Sequence, residues 1–382
     1  MAIDTMVNFR TIVRILTLSG LWRGMKGSRF ERYSRYYQLF MHFIVTFGFI
    51  LLLSLEIIYS DGLDHAIDVL KYLLVVMALG IKVLNAWYYT RQITEVMYEW
   101  ENSELFVLRN DDEKQMWAKT QKTFRKLGMT SFGLGFNSAM CALLGVLLMG
   151  ATEQPYALWM PTNWRDKYYW QMYIYQCLSM PFICFSNVTN DVFQAYLLLH
   201  LTLCFRVISM RLERLANAGA DGAITAELMN DIKMHQRVKE MAISCEHIIS
   251  LSMLTQITLT FLIICFIIYN LANANFREDP VHCLAMLQYA LIVSLQMFLP
   301  CYYGNELTLE SEKLSINLYS SDWTGMSAYN RRFIFHYMES LKKPLVLHAG
   351  SFFEIGIPIF AKAMNNAYSL LALLLNVNDD EQ

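Results

Sequence analysis

Seven apolar stretches dominate this sequence, and each is long enough to cross a lipid bilayer as a helix. About 20 helical residues span the ~30 Å hydrocarbon core of a membrane. The composition agrees, because 55% of the 382 residues are hydrophobic and 17% are charged, whereas soluble domains carry about 25% charged residues. We therefore predict an all-α integral membrane protein, a seven-transmembrane helical bundle. The predicted spans are residues 36–59, 66–89, 127–150, 171–205, 224–271 (amphipathic in its first part), 281–299 and 351–376.

Positive charge is distributed unevenly over the connections between these spans. Residues 1–35, 90–126, 206–240 and 305–343 together hold 25 of the 31 lysines and arginines, and the other connections hold three. Because basic connections remain in the cytoplasm, we predict a cytoplasmic N-terminus and an extracellular C-terminus. This orientation is the reverse of a G-protein-coupled receptor.

No motif in the chain indicates an enzyme, a cofactor or a nucleic-acid partner. A Gly-rich phosphate loop, an HExxH motif and a GxSxG motif are all missing from the sequence. The eight cysteines include no CxxC pair, so they predict neither a metal site nor a disulfide framework. The formal net charge of −2 gives no basic surface for nucleic acid. The expected partners are membrane lipid and a small ligand.

The last predicted span carries a polar stripe. At helical spacing, one face holds Lys362, Asn366, Ser369, Leu373 and Asn376. A polar stripe closed by one leucine is typical of a pore-lining helix with a hydrophobic constriction. On these residues alone, a helix buried inside the bundle, with its polar groups satisfied by neighbours, is the simpler interpretation.

Among the charges embedded in the predicted spans, four are candidates for pairing. Glu56 and Lys71 flank the first outer loop at similar depth, and Lys82 and Asp191 lie deeper in spans two and four. An unpaired charge at membrane depth is costly, so each pair is expected to form contacts. We favour charge neutralisation over a direct role in ligand binding.

The outer halves of spans two, three, four and six supply a candidate ligand pocket. Its residues are mostly apolar or aromatic, which suits a small volatile or lipophilic molecule held mainly by burial. Ordinary helix packing explains any single member equally well. The candidates are Lys71, Tyr72, Val75, Met140, Leu144, Cys177, Met180, Phe185, Leu287, Tyr289 and Val293.

An ordered series of motifs occupies the last third of the chain. It runs FLPCYYGN at 298–305, YSSDW at 319–323, KPL at 343–345 and AYS at 367–369. This series resembles the insect odorant receptor family. Gustatory receptors end in a TY-aliphatic-QF pattern, from which AYS and Asn376 depart. The same departure and the short cytoplasmic connections favour an odour-tuning subunit over the shared co-receptor.

The resemblance implies an odorant-gated, non-selective cation channel that assembles as a heteromeric tetramer with a co-receptor subunit. It is expected in the cell membrane of olfactory sensory neuron dendrites. Under this interpretation residues 331–347 form the intracellular half of the last helix. Ser369 lies on the pore face, Leu373 is the gate and Asn376 is the polar position outside it. Lys362 fits least, because a cation should repel permeant cations.

The predicted organisation therefore has five parts. Residues 1–35 are a cytoplasmic N-terminus, 36–205 are spans one to four with the outer pocket, and 206–350 are spans five and six with the helices of subunit contact. Residues 351–376 line the pore and 377–382 are an extracellular tail. Two alternatives remain open: a gustatory-type homomeric channel, and a membrane transporter or lipid enzyme.

Overall fold

A computed structural model of the protein describes residues 7–22, 30–60, 62–148, 154–165, 167–215, 221–273 and 280–380. Within these ranges the chain folds into α-helices with one short β-hairpin, and a π-helical turn at His42–Phe47 joins α2 to α3. The elements are α1 (Val7–Leu18), α2 (Phe30–Met41), α3 (Gly48–Ile58), α4 (Leu63–Asn102), α5 (Asp111–Leu148), α6 (Thr162–Arg165), α7 (Tyr169–Glu213), α8 (Asp221–Asn273), α9 (Pro280–Ser320), α10 (Ala328–Leu341), β1 (His348–Ala349), β2 (Phe353–Glu354) and α11 (Ile357–Asp380).

Each predicted span lies mainly on helix. Within the described ranges, five helices are long and apolar enough to cross a membrane: Tyr33–Ile58, Asp111–Gly145, Tyr169–Glu213, Asp221–Leu271 and Cys283–Ser320. The second and seventh predicted spans lie on α4 and α11. The 53 residues of α8 extend about 80 Å at 1.5 Å per residue. The charged first part of α8 is therefore left outside a bilayer of ordinary thickness.

Helix α7 is the centre of the bundle. Every side chain from position 186 to position 205 is buried, so this stretch has no face left for lipid. A helix with no exposed face must be covered on all sides, and α7 packs against α9, α5, α8, α4 and α1. Side chains on every side of this part of α7 therefore contact other helices or line an internal cavity.

Helix α9 continues beyond the predicted end of span six. Span six was predicted to end at residue 299, but the helix runs through Pro300 to Ser320. Gly304 follows in the same helix, and a Cβ atom there would lie 2.6 Å from the carbonyl oxygen of Ile355. This glycine therefore allows the chain just before α11 to approach the α9 backbone closely.

The last predicted span begins later than expected. Residues 351–356 do not belong to the helix: β1 and β2 pair antiparallel here, and α11 begins at Ile357. Gly350 and Ser351 turn the hairpin with φ values of 60° and 61°, a left-handed conformation that disfavours helix. At the other end α11 continues through residues 377–380, which were predicted as a tail, and residues 381–382 lie outside the described ones.

Hydrogen bonds to α8 hold the hairpin in place. The backbone N–H of Gly350 donates to Ser250 Oγ at 2.7 Å, and that of His348 donates to Glu246 Oε1 at 2.9 Å. Glu354 lies in β2 and is exposed. The predicted helix at 331–347 is also shorter, because α10 spans Ala328–Leu341. The hairpin thus separates α10 from α11 and ties the start of α11 to the bundle.

Candidate ligand cavity

A cavity of about 840 Å³ lies among α4, α5, α7 and α9. Each helix contributes residues at three- and four-residue spacing, the pattern of one helical face. Its size falls within the range of small-molecule sites. The main lining residues are Asp68, Tyr72, Val75, Val76, Gly135, Ser138, Ala139, Ala142, Tyr156, Met180, Ile183, Cys184, Asn187, Leu287, Tyr289, Ile292, Val293 and Gln296.

Six of the eleven predicted pocket residues line this cavity: Tyr72, Val75, Met180, Leu287, Tyr289 and Val293. The other five do not. Lys71 is fully buried beside the cavity, and Met140 and Cys177 pack against the core. Leu144 is 46% exposed, and Phe185 lines a separate cavity of about 390 Å³ with Phe132. Helix rotation explains why Phe185 does not line this cavity. Successive side chains point about 100° apart, and the neighbouring Cys184 is the one that faces the cavity.

Sequence reasoning missed the loop that closes one end of the cavity. Residues 154–157 line it, and the Tyr156 ring is buried there. Gln176 of α7 accepts from the Tyr156 backbone N–H at 3.1 Å and donates to the Tyr156 carbonyl at 3.0 Å. The buried Gln176 satisfies both backbone groups of Tyr156 and so gives the loop a fixed position.

Three tyrosines form the aromatic part of the cavity wall. The Tyr72 ring lies 5.6 Å from the Tyr289 ring and 5.2 Å, edge to face, from the Tyr156 ring. Such pairs are favourable beyond the area they bury. The Tyr289 hydroxyl is buried and has no hydrogen-bond partner among the described residues. The wall therefore offers flat apolar surface with a polar group available to a ligand.

The opposite end of the cavity, here termed the amide end, is formed by Asn187 and Gln296. Asn187 lies 11 residues beyond Gln176 on α7, which is about 16 Å along the helix. Next to it, Lys82 Nζ is 2.6 Å from Asp191 Oδ1 and 2.8 Å from Asn187 Oδ1. The predicted pairing of Lys82 with Asp191 is confirmed. The two charges neutralise each other beside the cavity.

The other predicted pair does not form. Glu56 Oε1 is 3.2 Å from His65 Nε2 and 3.4 Å from Arg165 Nη2. Lys71 instead donates to Asp68, one helical turn away on α4. Asp68 Oδ1 also accepts from Asn270 Nδ2 at 3.0 Å. Asp68 reaches Lys71 without any tertiary contact, because the two residues are one turn apart on the same helix. Asp68 was not among the predicted partners of Lys71.

The polar stripe of α11 lies on the surface of the chain. Lys362, Asn366 and Ser369 are exposed, while Ala363 and Ala367 on an adjacent face are buried. The Ser369 hydroxyl donates to the Asn365 carbonyl at 3.0 Å. The simpler interpretation, a stripe buried in this chain's own bundle, is therefore wrong for these residues. Leu373 and Asn376 continue the helix, but their side chains lie outside the described ones.

A small core cluster connects the cavity wall to α11. Its buried members come from α8, α9 and α11, with Tyr289 and Met364 packed against them. One ring contact, Phe298 to Phe360 at 5.4 Å, joins α9 to α11 further along. The α9 wall of the cavity is therefore in direct packing contact with the last helix. The cluster consists of Ile263, Ile264, Ile267, Met286, Val293 and Ala367.

Comparison with known proteins gives matches over nearly the whole chain. The family model described as 7tm Odorant receptor matches residues 62–368. Odorant receptor 94a of Drosophila melanogaster is 35% identical, covering 98% of this chain and 99% of the relative. Odorant receptor 46a, isoform A, of the same species is 23% identical over 89% and 90%.

Solved structures match the fold. The insect olfactory receptor OR5 from Machilis hrabei aligns with a TM-score of 0.86 at 17% identity, covering 98% of this chain and all of that one. Its complex with eugenol aligns with a TM-score of 0.84 at 16% identity, covering 96% and 97%. At these identities the match shows a shared fold, including the arrangement of helices around the cavity described above.

Proposed function

Because this chain belongs to the insect odorant receptor family, we propose that it is the odour-tuning subunit of an odorant-gated, non-selective cation channel. The observation that carries the proposal is the cavity among α4, α5, α7 and α9, joined to a last helix with an exposed polar face. A cavity alone fits many receptors and transporters. An exposed polar stripe on a helix at membrane depth requires protein or water against it.

The proposed ligand is a small volatile or lipophilic odorant. About 840 Å³ of mostly apolar space accommodates such a molecule with most of its surface buried. The related receptor OR5 has been solved in complex with eugenol, a molecule of this class. Tyr72, Val75, Met180, Leu287, Tyr289 and Val293 are the proposed contacts.

The proposed pore is formed by α11 from each subunit of a tetramer that includes the co-receptor. In that assembly Lys362, Asn366 and Ser369, which are exposed in the single chain, face water or neighbouring subunits. Leu373 forms the hydrophobic constriction and Asn376 follows it. The charge distribution over the connections supports a cytoplasmic N-terminus and an extracellular C-terminus. The proposed location, which rests on family membership, is the membrane of olfactory sensory neuron dendrites.

Gating follows from the core cluster that α8, α9 and α11 share. An odorant that binds the open arrangement more tightly shifts the population toward it, by no more than the difference in its affinities. Contact with Tyr289 and Val293 repositions the α9 wall, and Val293 packs in the same cluster as Ala367 of α11. The ligand thereby biases the position of the last helix.

Recording from cells tests this proposal. Cells that express the chain together with a co-receptor are expected to show odorant-evoked cation current, and cells that express the chain alone are expected to show none. Robust current from the chain alone contradicts the heteromer and favours the gustatory-type homomeric channel. Uptake of a substrate in fixed stoichiometry, without unitary conductance, favours a transporter.

A further inference from the structure

We propose that the amide end of the cavity selects odorants that carry a hydrogen-bond acceptor, such as the carbonyl oxygen of a ketone, ester or aldehyde. The acceptor receives a hydrogen bond from the side-chain NH₂ group of Gln296. This inference rests on the proposed function, because it names the ligand class for the same cavity. It is carried by a chain of hydrogen bonds whose direction one buried lysine determines.

Lys82 determines the orientation of Asn187. An ammonium group donates hydrogen bonds and has no lone pair with which to accept one. Lys82 is fully buried, and its Nζ lies 2.8 Å from the Asn187 side chain. The Asn187 amide must present its oxygen at this contact, because an NH₂ group there would face another donor. The Asn187 Nδ2 group therefore points away from Lys82.

Asn187 in turn determines the orientation of Gln296. The two side-chain amides meet at 3.3 Å, with Asn187 Nδ2 donating to Gln296 Oε1. Amide oxygen and nitrogen are ordinarily difficult to distinguish, but here the reverse orientation would place two NH₂ groups together. Gln296 must therefore direct its own NH₂ group elsewhere, and no described residue accepts a hydrogen bond from it.

Gln296, which carries this NH₂ group, is a lining residue of the cavity and of two adjacent pockets of about 20 and 10 Å³. Gln296 is partly exposed and lines the cavity together with Asn187. Around it the wall is apolar, with Val76, Ile292 and Val293. A ligand that leaves this donor unpaired loses a hydrogen bond that the NH₂ group otherwise makes with water. The amide end thus discriminates against a purely hydrocarbon ligand.

The geometry of α9 also sets the direction of the ligand. Tyr289 lies seven residues before Gln296, about 10 Å along the helix. A ligand that places its acceptor at Gln296 extends its apolar part past Val293 and Val75 towards the tyrosine wall. The Tyr289 hydroxyl can both donate and accept, so it does not discriminate between donor and acceptor groups on a ligand. The Gln296 NH₂ group only donates, so it favours a ligand with an acceptor.

Gln296→Met is the variant that tests this inference, because methionine has similar length and no hydrogen-bond donor. The probes are linear methyl ketones and the matched alkenes in which a methylene group replaces the carbonyl oxygen. With wild type and co-receptor, the ketone is expected to activate at a lower concentration than its alkene. The variant should raise the half-maximal concentration of the ketone about threefold to tenfold, and it should lower that of the alkene, because no donor is left unpaired beside the alkene.

The matched control is Gln92→Met, the same substitution at an exposed position of α4 away from the cavity, which should leave both values unchanged. Equal sensitivity of wild type to ketone and alkene overturns the inference, as does an unchanged ratio in Gln296→Met at normal surface expression. Thermal shift of the solubilised wild type compares the same ligands without any variant, and equal stabilisation by both also overturns it. Absence of current with every odorant class contradicts the proposed function instead.

Discussion

The buried pair of Lys82 and Asp191 is expected to behave as a unit when it is mutated. At 2.6 Å, two unit charges attract by about 6 kcal/mol at an effective dielectric constant of ~20. Desolvation offsets most of this, so the pair as a whole contributes little. Removal of one partner leaves the other charge buried and unpaired, which costs about 3–5 kcal/mol. That is a large part of the ~5–15 kcal/mol stability of an ordinary fold.

Asp191→Leu and Lys82→Met should therefore each lower the melting temperature of the solubilised protein sharply. The double variant Lys82→Met/Asp191→Leu should recover most of the loss, because no charge remains. The matched control is the exposed pair of Arg91 and Glu95 on α4, at 2.9 Å, where the corresponding variants should change stability by less than about 1 kcal/mol. A double variant as unstable as the sum of its single variants would refute this reasoning.

Three further predictions concern gating, ligand recognition and pH. Leu373→Ala should raise agonist-independent current by widening the constriction; unchanged basal current and selectivity would remove Leu373 from the gate. Tyr289→Ala should change the odorant tuning profile without affecting co-assembly, measured by dose–response and co-purification; an unaltered profile would exclude Tyr289 from the ligand site. Burial raises the pKa of Asp231, in the charged first part of α8, to about 7 from 3.8, although Arg211 opposes the shift. Because the pKa of Asp231 is higher in the folded state than in the unfolded state, the native state loses stability as pH rises between these two values. Asp231→Asn removes this loss, so it should raise the melting temperature more at about pH 8 than at about pH 5. An equal gain at both values would contradict that assignment.

The sequence predicted well the features that depend on bulk physical chemistry. Apolar length located the helices, and the cost of isolated charge at membrane depth predicted the pairing of Lys82 with Asp191, which the structure confirms. Both predictions rest on large free-energy differences, so they hold even when a helix boundary is misplaced by several residues. The predicted pairing of Glu56 with Lys71 was wrong, because it treated depth as sufficient and ignored Asp68 one turn away.

Features that depend on helix rotation and tertiary contact were less predictable. Depth alone cannot distinguish Phe185 from its cavity-facing neighbour Cys184. The start of α11 was placed six residues early, because hydrophobicity continues through the hairpin. The hydrogen bond from the Gly350 backbone to Ser250 of α8 was not foreseeable from sequence spacing.

The loop at 154–157 shows the same limit. Its position depends on Gln176, whose side chain bonds both backbone groups of Tyr156 from a different element. The exposed position of the α11 stripe likewise depends on tertiary packing, because Ala363 and Ala367 occupy the packed face of the helix. Small residues on one side of a polar helix are the sequence signal that would have indicated it.

The most direct test of the proposed odorant-gated channel is to fill the ligand cavity with a larger side chain of the protein itself. Val75→Trp places a large side chain in the lining, and Met77→Trp makes the matched change two residues along α4, where the side chain is 39% exposed. With the co-receptor present, Val75→Trp is expected to abolish odorant-evoked current or to raise the half-maximal concentration at least about tenfold, at unchanged surface expression. Met77→Trp should respond as wild type does. A Val75→Trp receptor that retains the full wild-type odorant response would contradict the assignment of this cavity as the ligand site.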